Sequence, residues 1–349
     1  MLAPDRGCWR ERVLTRSVRT AVLRRKHLLN KSILLSALNM TTPIFVLGEA
    51  LMDCIAQPDG QLRPLMGGSP FNLARAAALR GASVAYLNPL STDLFGQGMA
   101  GQLQKDGVHL GGGRTVLPTS LAVVQVSNGQ PSYGFYREGI ADRDYSVDSI
   151  LALLHAQKTP GILHTGSLLL IPPEHHKIVA ILHAARELGW TISVDINLRP
   201  QVAGELGPYV NALKEVIALT DWLKASDEDL ETLGFAQVGM GESPRLVRQL
   251  RASVPAGALS RVALTFGGDG AHLHIEGQQH SQSVPPIQVV DTVGAGDTFW
   301  GNTLADWALE PEDAASRVAS TLTLAMRAAA INCTRSGCQP PSWDEVQAA

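Results

Sequence analysis

The 349-residue chain is 45% hydrophobic and 5% aromatic, and 29 Lys or Arg against 32 Asp or Glu leave a formal net charge of −3. Such a length supports one large core or two unequal units and excludes a small scaffold that depends on crosslinks. Residues 1–40 hold nine Arg or Lys residues against Asp5 and Glu11, so the remainder carries about −10, a balance that argues against extended nucleic-acid binding.

Nucleotides stay open to such a chain, because backbone donors and Mg²⁺ can hold a few phosphates without a cationic surface. Cys8, Cys54, Cys333 and Cys338 have neither metal-site nor disulfide spacing, so reduced thiols and a cytoplasmic setting are expected. No window reaches 18–20 uninterrupted apolar residues, and no membrane span is expected. The basic start reads in three ways: a disordered or partly helical extension, an over-long gene start, or an organelle-targeting segment. The folded pattern opens just after Met40 with TTPIFVLGEALMD. Residues 1–40 are therefore read as an extension outside a domain spanning 41–345.

Ile44 to Leu47 is a short apolar run ending at Gly48 and predicts a buried strand. GGSPFNLARAAALRG, residues 67–81, predicts a helix capped by Ser69 and stopped by Gly81. SVAYLNPL predicts another strand, and residues 93–106 a second helix. TSLAVVQVSNGQPSYGFYR, residues 119–137, predicts a hairpin turning at Asn128-Gly129, with the segment around Leu62 to Met66 joining it. A sheet without covering helices reads as a lid, placed at approximately 54–67 and 115–140.

From residue 147 strand patterns alternate with helical ones: GILHTGSLLL, HHKIVAILHAARELG, WTISVDIN, ALKEVIALT, DWLKAS and RVALTFG. This alternation predicts a layered α/β sheet with covered faces. At the end, IQVVDT predicts a strand, GAG a tight turn, and DTFWGNTLADWAL a helix with Phe299, Leu304 and Trp307 or Ala308 on one buried face. Residues 312–332 predict one more helix. The ten histidines make no zinc pattern; His175 and His176 are adjacent, and His272, His274 and His280 lack a matching Cys or carboxylate set.

DTVGAGDTF, residues 291–299, carries the chemistry. Gly294 and Gly296 permit a tight turn whose amides face one concavity. That turn runs into a helix start, where the first N–H groups lack intrahelical partners and stabilise anionic oxygen. Asp297, in the first turn, is placed to accept a proton from an attacking hydroxyl. The alternative is a strand-to-helix turn whose Asp caps the helix; Asp291, the strand before and the long helix after favour the site. Neither a GxxxxGK[ST] loop nor a strand-linked GxGxxG occurs.

Four segments in order, GGSPFNLARAAALRG, DINLRP at 195–200, LTFGGDGAHL at 264–273 and DTVGAGDTFWGN, resemble the ribokinase-like (PfkB-type) carbohydrate kinase family over about residues 44 to 345. The bacterial fructokinase-like members resemble it most. The resemblance implies a ribokinase-like three-layer α/β/α sandwich with a small β-sheet lid. It also implies ATP-dependent phosphorylation of a sugar primary hydroxyl with Mg²⁺, K⁺ as a further candidate cation, and a homodimer through the lid as one route of assembly.

By that resemblance Asp53 holds sugar hydroxyls, and Gly67, Gly68 and Asn72 close around the sugar. Phe135 and Arg137 sit at the lid edge, as an apolar wall and a polar contact. Arg199 is a candidate for phosphate or substrate, Asn197 faces the ATP phosphates, and Asp195 is either a site residue or a structural one. Ser226 matches the nucleotide-side position. Asp229 replaces the usual Glu there with a shorter reach, and Ser226 with Asp229 also reads as a capping box. Gly267 and Gly270 match the nucleotide-side loop, and Asn332 the segment near the adenine. Asp291, with backbone oxygens of Val293, Asn332, Arg335 and Gly337, matches the monovalent-cation loop. Pro341 departs from a position that is often small and polar. The catalytic set is Asp297, Gly294, Ala295 and Gly296, with the amides of Ala295, Gly296 and Asp297 expected to stabilise the transferred phosphoryl. D-fructose is the leading acceptor. 2-Keto-3-deoxygluconate, which needs a cationic partner such as Arg137 or Arg199, is its competitor. Ribose, another ketose or a nucleoside ranks lower, and a sugar sensor without turnover is the alternative of a different class.

Overall fold

The computed structural model describes residues 41–349 except Pro58 and the Asn128-Gly129 pair, so the readings of residues 1–40 and of that turn lie outside the described residues. The remaining strands form one nine-stranded sheet, a four-stranded sheet and a two-stranded ribbon. The large sheet runs in the order Gln278–Gln282, Ala271–Ile275, Arg261–Thr265, Trp222–Ser226, Thr191–Asp195, Ile162–Gly166, Ile44–Val46, Val84–Tyr86 and His109–Leu110. The seven strands from Arg261–Thr265 onward pair in parallel, while the two at the other edge are antiparallel.

Parallel strands need cover on both faces, and alternation along each strand supplies it. Phe45, Leu163, Ile192 and Leu223 join one core with the helices Val147–His155, His175–Glu187, Leu206–Ile217 and Ser243–Ala252. Ile44, Val46, Ile162 and Ala263 point the other way, against Ser69–Leu79, Leu94–Lys105, Ala295–Leu309 and Val318–Cys333. The architecture is the expected three-layer α/β/α sandwich.

The small sheet has the order Leu62–Gly67, Leu51–Ala56, Ser120–Ser127 and Gln130–Tyr136. Its central pair, Leu51–Ala56 with Ser120–Ser127, is parallel and the outer pairs antiparallel. The first of these strands starts at Leu51, ahead of the boundary read near residue 54, which places Asp53 on the lid itself.

Several local expectations are corrected. IQVVDT forms no strand: Pro285 and Pro286 remove two ladder donors just before it, and the amides of Val290 and Asp291 instead bond the Cys333 carbonyl at 2.8 and 3.2 Å. The last long helix starts at Val318 rather than near 312. GILHTGSLLL splits into the strand Ile162–Gly166 and a 3₁₀ turn over Ser167–Leu170. Ser69 is the first helical residue and does not cap; Gly68, at φ 104°, holds the N-cap position. The helix Ala295–Leu309 buries every residue from Asp297 to Ala308 instead of one face, because helices flank it and the sheet covers it. Trp300 Nε1 even reaches the central strand, donating to Ser193 Oγ at 3.1 Å.

That depth of burial depends on close approach at Gly301. A Cβ there would stand 2.8 Å from the Leu73 carbonyl oxygen and 2.9 Å from Ala76 Cβ. Gly301→Val is expected to destabilise the fold by ~1–3 kcal/mol through overpacking, measured as a lower urea midpoint at unchanged slope.

Candidate active site

Parallel strands in an open α/β sheet present ligands at their carboxyl ends. Here those ends carry Glu49 after Ile44–Val46, Ser167 after Ile162–Gly166, Asp195 and Asn197, and Ser226. The glycine turn and the start of Ala295–Leu309 arrive at the same place. Gly294 is left-handed at φ 74°, and a Cβ on it would lie 2.1 Å from Cys338 Sγ, so both conformation and packing demand glycine.

Gly296 and Asp297 occupy the second and third helical positions, where N–H groups have no intrahelical acceptor. The Ala295 amide differs from its expected role. It donates to the Thr292 carbonyl at 3.1 Å and is spent within the turn.

Asp297 is buried, and Asn72 Nδ2 donates to its Oδ2 at 2.9 Å. Burial pushes its pKa above the ordinary carboxylate value, offset by Ser69, Asn72 and the charges of Lys224 and Arg199. Asp53 lies in the same field. Burial raises its pKa to about 6; Arg199 pulls the other way, while Asp297, Glu49 and Asp291 push further. Gly67 is what admits that carboxylate, since a Cβ there would meet Asp53 Oδ2 at 2.1 Å. Gly68 lets the helix start pass the Glu49 carbonyl, which a Cβ would approach to 2.5 Å. Asp53, Gly67, Gly68, Asn72, Arg199 and Asp297 are thus brought together.

Asn197 takes the left-handed region at φ 41°, a conformation Asn tolerates better than most residues. Its carbonyl and that of Leu198 accept from Arg199 Nη1 at 3.2 and 2.8 Å. Arg199 is therefore anchored to its own loop with its charge towards the carboxylates. Ser226 and Asp229 form a reciprocal capping box. Asp229 Oδ2 accepts from the Ser226 amide at 2.7 Å and Oδ1 from the Leu198 amide at 2.8 Å. Both oxygens bind backbone, so the capping reading describes Asp229 better than a metal ligand.

Other candidates divide. Gly267, at φ 49°, faces open space, whereas Gly270, at φ 136°, is locked in a hairpin where a Cβ would strike the Gln282 carbonyl at 2.1 Å. Asn332 is a brace rather than a free contact for a base: it is fully buried, donates to the Val293 carbonyl at 2.8 Å and accepts from the Gln339 amide at 2.8 Å. Asp291 accepts from the amides of Val293 at 3.0 Å and Gly337 at 2.8 Å, drawing the cation-loop residues together. Arg335 turns its guanidinium to Gln339 and Glu345.

At the lid edge Phe135 packs half-buried against the main core. Arg137 keeps buried Nε and Nη2 atoms without a hydrogen-bond partner, and its charge acts on Glu49 and Asp142. It is partly buried and lies within the electrostatic reach of two protein carboxyls at the lid edge.

Glu49, Asn88 and Lys224 escaped sequence reasoning, whereas Asp195 takes the structural role that was one of its two readings. Glu49 is buried beside the site and accepts from the Ser69 amide at 3.3 Å. Asn88 clasps two segments, accepting from Gly48 N at 2.6 Å and donating to the Asp142 carbonyl at 2.7 Å. Lys224 and Asp195 form a buried ion pair at 2.9 Å. The available signal was a lysine inside the apolar strand WLKAS, where a charge needs a partner.

The family profile described as "pfkB family carbohydrate kinase" matches residues 41–345, and the chain belongs to that family. A fructokinase of Rhizobium leguminosarum bv. trifolii is 29% identical over 289 residues, covering 81% of this chain and 85% of the relative. Probable fructokinase-4 of Arabidopsis thaliana is 30% identical over 295 residues, covering 80% and 86%. The crystal structure of a Xylella fastidiosa fructokinase with bound ATP superposes with a TM-score of 0.73 at 27% identity, covering 88% of this chain and 97% of that one.

Burial also pushes Asp142 up to about 7, against the charge of Arg137. An Asp in the unfolded chain titrates near ~3.9. The folded state therefore holds this proton more tightly, and the stabilisation it contributes is complete below that value and lost as pH rises through about 7. Asp142→Asn is expected to gain in unfolding free energy relative to the parent chain across that window, read by urea denaturation at about pH 5 and about pH 8. Parallel pH profiles for the two proteins would contradict this.

Proposed function

We propose that this chain is an ATP-dependent sugar kinase that phosphorylates the primary hydroxyl of D-fructose to give fructose 6-phosphate. The observation that carries the reading is Asp297: a buried carboxylate tethered by Asn72, in the first turn of a helix whose Gly296 and Asp297 amides have no intrahelical acceptor. A base and an anion hole then share one helix end. Relatives called fructokinases, one of them with bound ATP, support the same reading.

In the proposed reaction Asp53 and the Gly67-Gly68 backbone orient the sugar. Asp297 takes the proton of the attacking hydroxyl as the sugar oxygen bonds to the γ-phosphorus. The bond from that phosphorus to the β–γ bridging oxygen breaks, and ADP leaves with its electron pair. The two orphan amides stabilise the charge spread over the transferred group. Asp53 belongs to the lid, so closure over the sugar excludes water and limits ATP hydrolysis.

Mg²⁺, when bound, neutralises phosphate charge. Among the described residues no group of three His, Cys, Asp or Glu could hold a metal, and Asp229 is committed to amides. That donor set fits an ion carried mainly by phosphate and water oxygens. For K⁺, Asp291 and the carbonyls of Val293, Asn332, Arg335 and Gly337 are the proposed hard-oxygen ligands. The reducing cytoplasm is the proposed setting, in keeping with buried free thiols at Cys54, Cys333 and Cys338.

The relatives called fructokinases favour fructose over 2-keto-3-deoxygluconate as the acceptor. With MgATP, kcat/KM is expected to be higher for fructose; a higher value for 2-keto-3-deoxygluconate would reverse the choice, and sugar binding without sugar-dependent ADP release would indicate a sensor. Asp297→Asn is expected to lower kcat by about 10²–10⁴-fold with KM little changed. Since only ionised Asp297 accepts the proton, kcat/KM should fall towards acid through a pKa above the ordinary Asp value.

A further inference from the structure

Three equatorial oxygens carry the charge of a phosphoryl group in flight. The glycine turn offers two unspent amides, those of Gly296 and Asp297, because the Ala295 N–H is bonded to the Thr292 carbonyl. A third donor is wanted on the protein side, and a cation sits beside the gap. Lys224 and Asp195 are register partners on adjacent parallel strands, both buried at the carboxyl end of the sheet. Lys224 Nζ lies 2.9 Å from each Asp195 oxygen. It also lies 3.2 Å from where a Cβ on residue 296 would stand. The missing side chain of Gly296 thus brings the ammonium against the backbone of the turn.

We propose that Lys224 completes the anion hole: Asp195 anchors it through both carboxylate oxygens, and an N–H left over from that contact meets an oxygen of the migrating phosphoryl beside Gly296. The idea rests on the kinase reading and names a residue that the glycine motif does not contain. An ammonium has three donors, and among the described residues only Asp195 accepts from this one. Both contacts go to one carboxylate, so at least one N–H is directed away from it.

Stability alone is a poor reason to keep such a pair, because well-packed neutral replacements of buried ion pairs are often neutral or stabilising. The surroundings also keep the ammonium charged. Burial opposes its charge, but Asp195, Asp229 and Asp297 outweigh it and raise the pKa. His164, nearby and buried, is held neutral with its pKa lowered to about 3 by burial and by Lys224. Asp195 is a positioning residue here, since it acts through Lys224.

The test removes both charges at once, in the double variant Lys224→Met with Asp195→Asn. Expected are a retained cooperative unfolding transition, MgADP affinity within about threefold of the parent, and kcat for fructose lowered by about 10²–10³-fold. Binding of MgADP with aluminium fluoride and fructose, measured calorimetrically, should weaken by a similar factor, because that ternary mimic presents the planar transferred group. A double variant with near-parental kcat would overturn the proposal, as would equal losses of MgADP and mimic binding. Should it not fold, Lys224→Gln, whose amide can still bond Asp195, is measured in the same way: the same losses support the proposal, and near-parental kcat overturns it. The parent enzyme separates the two layers: if it turns over no sugar with MgATP, the kinase reading has failed, and not the role of Lys224 within it.

Discussion

Everything at this site depends on holding acid groups in a dry place without letting them repel one another apart. Asp297 is joined to Asn72 across 225 residues of sequence, and Asp53 leans on Gly67 in the next strand. Glu49, Asp195 and Asp142 are buried as well. Burial raises the pKa of all five carboxyls, and Arg199, Arg137 and Lys224 oppose the rise. The strand ends supply the frame for this balance. Seven parallel strands bring their carboxyl termini to one edge, and the helix Ala295–Leu309 points its N-terminus at the same spot.

The core enforces that geometry more than local preference does. Ala295–Leu309 is buried on all sides, with Trp300 and Trp307 edge-on to each other and Trp300 bonded to Ser193 in a central strand. A helix held so firmly cannot retreat, which on the proposed function is the condition for a preorganised anion hole at its first turn. Gly301 makes this possible by letting Ser69–Leu79 approach, and that helix is also the one that carries Asn72. Packing and chemistry therefore share one contact between two helices.

Much of the frame was legible. Alternating strands and helices after residue 147, the glycine turn and the order of four motifs pointed to the layered sheet and to Asp297. The failures have physical causes. IQVVDT looks like a strand because Val289 and Val290 are β-formers, but the two prolines before it break the ladder. The one-faced helix prediction failed because periodicity reports amphipathicity, and a helix covered on every side has none. Asn88 and Glu49 were invisible because their partners lie on other segments, and hydrogen bonds across 40 or 20 residues leave no mark on spacing.

The first lid strand runs Leu51–Ala56, directly beyond the loop that follows the sheet strand Ile44–Val46, with Asn88 pinning that loop at Gly48. The small sheet is hence no hinged afterthought appended far from the site; four residues, Leu47 to Ala50, join it to an interior strand of the large one. A movement of the small sheet would carry Asp53 with it. On the proposed function, the acceptor's grip and the cover's position are then one mechanical coordinate, so that binding of the sugar would itself draw the cover shut.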